Sequence, residues 1–157
     1  MTSRKLDQLY RQVIMDHYKN PRNNGELPDS DVTIDLNNPT CGDQIHLHLK
    51  MDGDKIVAAK FTGSGCSISM ASASMMTQSI IGKTEKEALK MSREFSEMVQ
   101  GHDHETIDEY GDVEALAGVA KFPARIKCAT LSWKAMERAI FEKEGTKYVA
   151  KRRIRHD

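Results

Sequence analysis

The stretch that decides the fold is IHLHLKMDGDKIVAAKFT, residues 45–62. Its first half alternates: Ile45, Leu47, Leu49 and Met51 stand against His46, His48 and Lys50, the period-two pattern of a strand with one buried and one wet face. Asp52-Gly53 is a hairpin signal, and Lys55 to Thr62 reads as the returning strand, with Val57, Ala59 and Phe61 on one face. VTIDL at 32–36 alternates in the same way, so three antiparallel strands are expected in succession.

Helices flank them. Upstream, Leu6, Leu9, Tyr10, Val13, Ile14 and His17 recur at spacings of three and four, ending at Asn20-Pro21 and Asn23-Asn24-Gly25. Downstream, SISMASASMMTQSII from residue 67 is a run of small and apolar residues that suits a closely packed helix closed by Gly82. Thr84 with Glu87 forms a capping box for a helix that turns Ala88, Met91, Phe95, Met98 and Val99 inward and ends at Gly101. Residues 101–114 carry acids and no Lys or Arg, and read as a loop before a short helical piece from Val113 to Ala120. Pro123 opens a last helix with a stripe of Ile126, Ala129, Thr130, Trp133, Met136 and Ile140, expected to end before Gly145. Strands followed by helices predict an α+β fold, a small three-stranded antiparallel sheet with helices packed on one face.

The 157 residues suit one domain, 1–157, with a basic, exposed tail at 147–157. Apolar residues make up 39% and charged residues 29%, which excludes a wholly disordered chain. Lys plus Arg balances Asp plus Glu at 23 each, so no overall field draws nucleic acid. No apolar run exceeds four residues, and neither a signal peptide nor a membrane span is expected. Three cysteines cannot all pair within one chain; reduced thiols serving metal or redox chemistry in the cytoplasm are the expectation.

Each cysteine falls in a loop or at a helix start: Cys41 in NPTCGD, Cys66 in TGSGCSIS, Cys128 in FPARIKCATL. Cys41 and Cys66 flank one hairpin, and in-register pairing brings them to the same end of the sheet. Gly63 and Gly65 allow tight turning there, and a helix N-terminus favours Cys66 as a thiolate. Two readings stand at this point. Free cysteines are often small buried hydrophobes, and no CxxC pair is present. Against that, Gly42, Asp43, Gly63, Gly65, Arg125 and Lys127 surround the sulfurs with turns and charge, as a metal site would require.

NPTCGDQI, FTGSGCSIS and FPARIKCATLSW, with the opening LYRQVIMDHYKNPRNNGEL, resemble the SufU-type proteins of the wider IscU and NifU-like iron-sulfur assembly family over about residues 6–141. The resemblance implies an IscU-like α+β fold in which Cys41, Asp43, Cys66 and Cys128 bind one zinc ion. It implies that Cys41 accepts sulfur from a PLP-dependent cysteine desulfurase of the SufS type, for a downstream iron-sulfur assembly scaffold. It also implies that Cys128 reaches the other two cysteines, which spacing does not supply. A monomer is expected.

That ligand set makes chemical sense. A free thiol with pKa about 8.5 is only a few per cent thiolate at neutral pH, whereas a zinc-bound thiol is deprotonated outright by a metal that has no redox chemistry. Three thiolates and one carboxylate on a 2+ ion leave a site charge of −2, which Arg125 and Lys127 are placed to offset. Arg125 is assigned with Cys41 to the catalytic set, as the group that orients the incoming donor. Cys41, in a turn followed by glycine, is the expected mobile ligand, while Asp43, Cys66 and Cys128 retain the metal. The alternative is a scaffold on which the same thiolates ligate an iron-sulfur cluster. Relative to what the scaffold branch resembles, this chain has Lys127 where a His precedes the third cysteine, carries an inserted segment at roughly 101–120, and has Phe122-Pro123-Ala124-Arg125-Ile126-Lys127 in place of a Leu-Pro-Pro-Val-Lys motif.

Other signals carry less. GKT at 82–84 lacks the glycine at 77 that a phosphate loop needs, Thr77 standing there instead. His46 and His48 belong to a solvated strand face, HDHE at 102–105 to a wet acidic loop, and His17 to the apolar stripe as a satisfied, partly buried histidine. The nine methionines fall mostly on helical apolar faces and read as core.

Overall fold

In the computed structural model, which describes residues 3–39, 42–102 and 108–149, the alternating stretches become β1 (Val32–Asn38), β2 (Asp43–Asp52) and β3 (Lys55–Ser64). They form one antiparallel sheet in the order β1-β2-β3. In β2 the odd-numbered residues from Asp43 to Met51 are buried and the even ones stay partly or fully exposed. The β2–β3 turn is Gly53-Asp54, with Asp52 opposite Lys55; Gly53 has φ +64°, the left-handed conformation wanted at the first position of a two-residue hairpin loop.

The returning strand departs from simple alternation. Met51 pairs with Ile56 and Lys50 with Ala58, so Val57 is an extra residue in a β-bulge. Val57 was expected inward and is exposed, while Ile56, Ala59 and Phe61 are buried. The extra residue shifts the inward face by one position, which strict period-two reading cannot anticipate.

Around the sheet stand α1 (Ser3–Lys19), α2 (Ser67–Ile80), α3 (Glu85–Val99), a 3-10 helix (Asp108–Lys121) and α4 (Pro123–Val149). Helix α4 lies against β1 and β2, and α2 against β3. Helix α2 is buried from Ser69 to Thr77 on every side, because its serines and alanines let α1 and α4 come close. Its hydroxyls are satisfied: the Ser72 Oγ donates to the Ala129 carbonyl at 2.6 Å and accepts from Trp133 Nε1 at 3.1 Å. Trp133 in turn stacks on Phe95 of α3 at a 4.7 Å centroid separation. Both arms of the Thr84–Glu87 capping box form, and the five inward residues expected of α3 are buried.

Three further expectations are corrected. Leu9 is exposed; among the described side chains the inward stripe of α1 is Tyr10, Val13, Ile14 and His17, and that of Leu6 lies outside them. The acidic segment is not a loop throughout: from residue 108 it is a 3-10 helix, and 103–107 lie outside the described residues. Val113, Leu116 and Val119, spaced by three, bury one stripe, which matches three residues per turn. Helix α4 runs through Gly145 to Val149, since a lone interior glycine costs only about 1 kcal/mol relative to alanine. Of the basic tail, 150–157 lie outside the described residues.

His17 is fully buried and satisfied at both nitrogens, with Ser74 Oγ 2.7 Å from Nδ1 and Asp112 Oδ2 2.8 Å from Nε2. Because Ser74 Oγ also accepts from the Arg22 N–H at 2.8 Å, its own proton is free to point at Nδ1, leaving Nε2–H to donate to Asp112. This chain of bonds ties the 3-10 helix to α1 and α2. Among the described residues no helix is long and apolar enough to cross a membrane.

Candidate metal centre

The open end of the β2–β3 hairpin gathers the polar groups. Asp43 is the first residue of β2, and the alternation that buries Ile45 and Leu47 puts its carboxylate on the same face, fully buried. Gln44 opposite Ser64 closes the ladder, so the chain leaving β3 reaches Cys66 beside Asp43. Cys66 is the N-cap residue of α2, and its N–H donates to Asp43 Oδ1 at 3.1 Å. Cys128, in the second turn of α4, is fully buried. The ligating atoms of Asp43, Cys66 and Cys128 all lie within 4.8 Å of one another.

The glycines before Cys66 are required by contact as well as by turning. A Cβ on Gly65 would fall 2.4 Å from Asp43 Oδ1 and 2.6 Å from Ser69 Oγ, and one on Gly63 would fall 2.2 Å from the Gln44 carbonyl oxygen. Ser69, which sequence reasoning passed over, is buried beside the site. Its Oγ donates to the Cys66 carbonyl at 3.1 Å and lies 3.7 Å from Cys66 Sγ. The available signal was its place three residues after the N-cap, where a side chain folds back on the cap.

Arg125 is exposed in the first turn of α4, close enough to Cys66 and Cys128 to feel both sulfurs. The negative charge of Cys66 first, and then of Cys128, holds its guanidinium pKa above the ordinary value. Lys127 is exposed on the same helix. Cys41 lies outside the described residues. It stands two residues before Asp43 in sequence, and the Gly42 N–H donates to the Asn38 carbonyl at 2.8 Å.

Asp43 Oδ2 is buried and has no hydrogen-bond partner among the described residues. A buried carboxylate oxygen without a donor is costly unless a cation meets it. Two sulfurs within reach of that carboxylate form the mixed sulfur and oxygen donor set that suits zinc in a tetrahedral site with one further ligand. The residues present therefore fit a zinc ion.

A family model described as the NifU-like N terminal domain matches residues 9–129. The chain is 64% identical over 140 residues to the zinc-dependent sulfurtransferase SufU of Bacillus subtilis, covering 89% of this chain and 95% of that protein. It is 48% identical over 155 residues to the iron-sulfur cluster assembly scaffold protein IscU of Streptococcus pyogenes, covering 99% and 97%. Among solved structures it is similar to a protein of the thermophile Fervidobacterium islandicum, whose proposed role is that of an iron-sulfur cluster assembly scaffold for the SUF system. That match has 36% identity and a TM-score of 0.78 over 88% of this chain and 99% of that one.

Proposed function

The chain belongs to the NifU-like N-terminal domain family, and from that premise we propose that it is a zinc-dependent sulfurtransferase: it accepts persulfide sulfur from a PLP-dependent cysteine desulfurase of the SufS type and carries it toward iron-sulfur cluster assembly. The observation that carries this reading is the convergence of Asp43, Cys66 and Cys128 around an unpartnered buried carboxylate oxygen.

When bound, zinc supplies deprotonation of its thiol ligands without redox chemistry of its own. Asp43, Cys66 and Cys128 hold it, two of them anchored at helix starts and the third at a strand end. Cys41, two residues before Asp43 in sequence, is the acceptor. Its thiolate attacks the terminal sulfur of the donor's cysteine persulfide, the donor S–S bond breaks, and the donor cysteine leaves as a thiolate while Cys41 becomes the persulfide. Arg125, the cation already over the two sulfurs, orients the incoming anionic persulfide and offsets the site's negative charge. The sulfur then passes to an iron-sulfur assembly scaffold, in the cytoplasm, from a monomeric carrier.

The test is cysteine turnover by the desulfurase of the same cell, with reductant, against no addition, this protein, and Cys41→Ala. Many-fold stimulation by the zinc-loaded protein, lost in Cys41→Ala while the zinc stays bound, is the expected result. A second reading, a scaffold that holds the cluster itself, is favoured by the 48% identity to a protein named as one. Iron and labile sulfide in anaerobically purified protein, with no stimulation of the desulfurase, would put that reading first.

A further inference from the structure

Among the described cysteines Cys128 is fully buried, whereas Cys66 is still partly open. A sulfur donor that reaches the site therefore meets Cys66 as well as the proposed acceptor Cys41. With both thiols deprotonated by the metal, ionisation does not choose between them. Ser69 is placed to make that choice. It is 1% exposed, stands three residues after Cys66 in the first turn of α2, and among the described residues its Oγ bonds to Cys66 alone.

The bond that Ser69 makes to the backbone is dispensable. The Cys66 carbonyl, to which its Oγ donates at 3.1 Å, already accepts the Met70 N–H at 3.1 Å as the first bond of the helix. The second donation fills no vacancy, so the hydroxyl can turn its proton to another acceptor at little cost. Cys66 Sγ lies 3.7 Å away; as a thiol it is the donor of that pair, and as a thiolate it can only accept. The sulfur is not engaged by the helix either, because Cys66 is the N-cap residue with extended backbone and its side chain makes no cap bond. Asp43 Oδ1 holds the Cys66 N–H at 3.1 Å from the other side. Gly65 makes room for both partners, since a Cβ there would fall 2.4 Å from Asp43 Oδ1 and 2.6 Å from Ser69 Oγ.

We propose that Ser69 is a positioning residue that decides which thiolate takes the sulfur: its hydroxyl donates to the Cys66 thiolate, keeps that sulfur a metal ligand, and leaves Cys41 to attack the persulfide. The inference rests on the function proposed above. A hydrogen bond to an ionised acceptor is roughly twice as strong as one between neutral groups. Burial of the Ser69 hydroxyl keeps water from competing for it, which strengthens the bond further. An electron pair shared with the hydroxyl proton is less available to an incoming sulfur electrophile. The same bond fixes the direction of the sulfur, as outer partners of metal ligands do.

The experiment compares the full-length wild type with Ser69→Ala and with Ser69→Thr, which keeps the hydroxyl. It reads zinc affinity by competition with a chelator, the melting temperature of the zinc-free protein, and the cysteine that carries the persulfide after one turnover with the desulfurase at saturating zinc, mapped by mass spectrometry. Ser69→Ala is expected to bind zinc roughly 10- to 100-fold more weakly, the cost of losing an outer partner. The share of persulfide on Cys66 should rise several-fold in it, at the expense of Cys41. Without zinc it should melt within about 3 °C of wild type, because the Cys66 carbonyl keeps its Met70 bond. Ser69→Thr should return affinity and sulfur site to near the wild-type values. Persulfide still confined to Cys41 in Ser69→Ala overturns the proposal and leaves the sulfurtransferase reading standing. An equal effect of Ser69→Thr also overturns it, since shape and not the hydroxyl is then responsible, and so does a zinc-free Ser69→Ala that melts far below wild type. A wild type that binds no zinc, or takes no sulfur from the desulfurase, overturns the sulfurtransferase reading and this proposal with it.

Discussion

At the turn end of the β2–β3 hairpin, backbone groups are paired one for one. The Ile56 N–H donates to the Lys83 carbonyl, the Gly82 N–H to the Ile56 carbonyl and the Glu85 N–H to the Asp54 carbonyl, and Thr84 and Glu87 satisfy each other across the start of α3. At the open end, ten residues away along the same strands, a buried carboxylate oxygen has no donor and two thiols face it under an arginine. An open polar atom is not peculiar to this end, since Ser132 Oγ in α4 is also buried without a hydrogen-bond partner among the described residues, but only beside Asp43 do two thiols gather. The difference locates function without reference to any relative.

Zinc removal should break the contrast most visibly. Chelation is expected to lower the stability of the wild type by about 4 kcal/mol relative to protein held at free zinc a thousandfold above its Kd, as measured by denaturant titration. Asp43→Asn should invert its sign between the two states: less stable than wild type with zinc present, equal or more stable without it, since the amide removes a buried charge that only the metal compensates. Zinc affinity measured by competition should fall in this variant by more than the roughly 10- to 100-fold that loss of an outer partner costs.

Glycine substitutions sharpen the comparison on a smaller scale. Gly65→Ala forces a methyl against the Asp43 carboxylate and should cost roughly 1–3 kcal/mol together with a loss of zinc affinity. Gly53→Ala, at the opposite end, has open space around its Cβ and only its positive φ to resist, so roughly 1–2 kcal/mol is expected with zinc affinity unchanged. Equal effects of the two on zinc binding would erase the distinction between the ends.

The smallest effect concerns Glu87, whose carboxyl is held below its ordinary value of 4.5 chiefly by the backbone N–H of Thr84. A depressed folded-state pKa means that the ionised form stabilises the fold above 4.5 and that this contribution disappears as pH falls through the depressed value. The stability difference between wild type and Glu87→Gln should therefore be constant at neutral pH and vanish in acid, as read by thermal melts across pH. Zinc stoichiometry at neutral pH should be the same in both.

Much of the architecture was legible because it rests on local rules. Alternation over 45–51 specified which face of β2 is buried, and it was that same period that buried Asp43; the Thr84–Glu87 pair announced α3. Where reading failed, a tertiary contact had overruled a local preference. Val57 turned outward because a bulge added one residue to its strand, and the acidic segment became a 3-10 helix because Val113, Leu116 and Val119 found cover.

The site divides in the same way. From sequence alone came the hairpin that sets Asp43 beside Cys66, the helix start that holds Cys128, and a cation one turn before it, since each depends on residues near in the chain. Only the tertiary structure brought Cys128 to Asp43 and Cys66, set Arg125 beside both sulfurs and placed Ser69 against Cys66. Those facts depend on how α4 and the 3-10 helix lie across the sheet and α1, and that placement is set by the burial of side chains far apart in sequence, such as Trp133 on Phe95 and Asp112 on His17. Spacing along one strand or helix carries no record of such contacts.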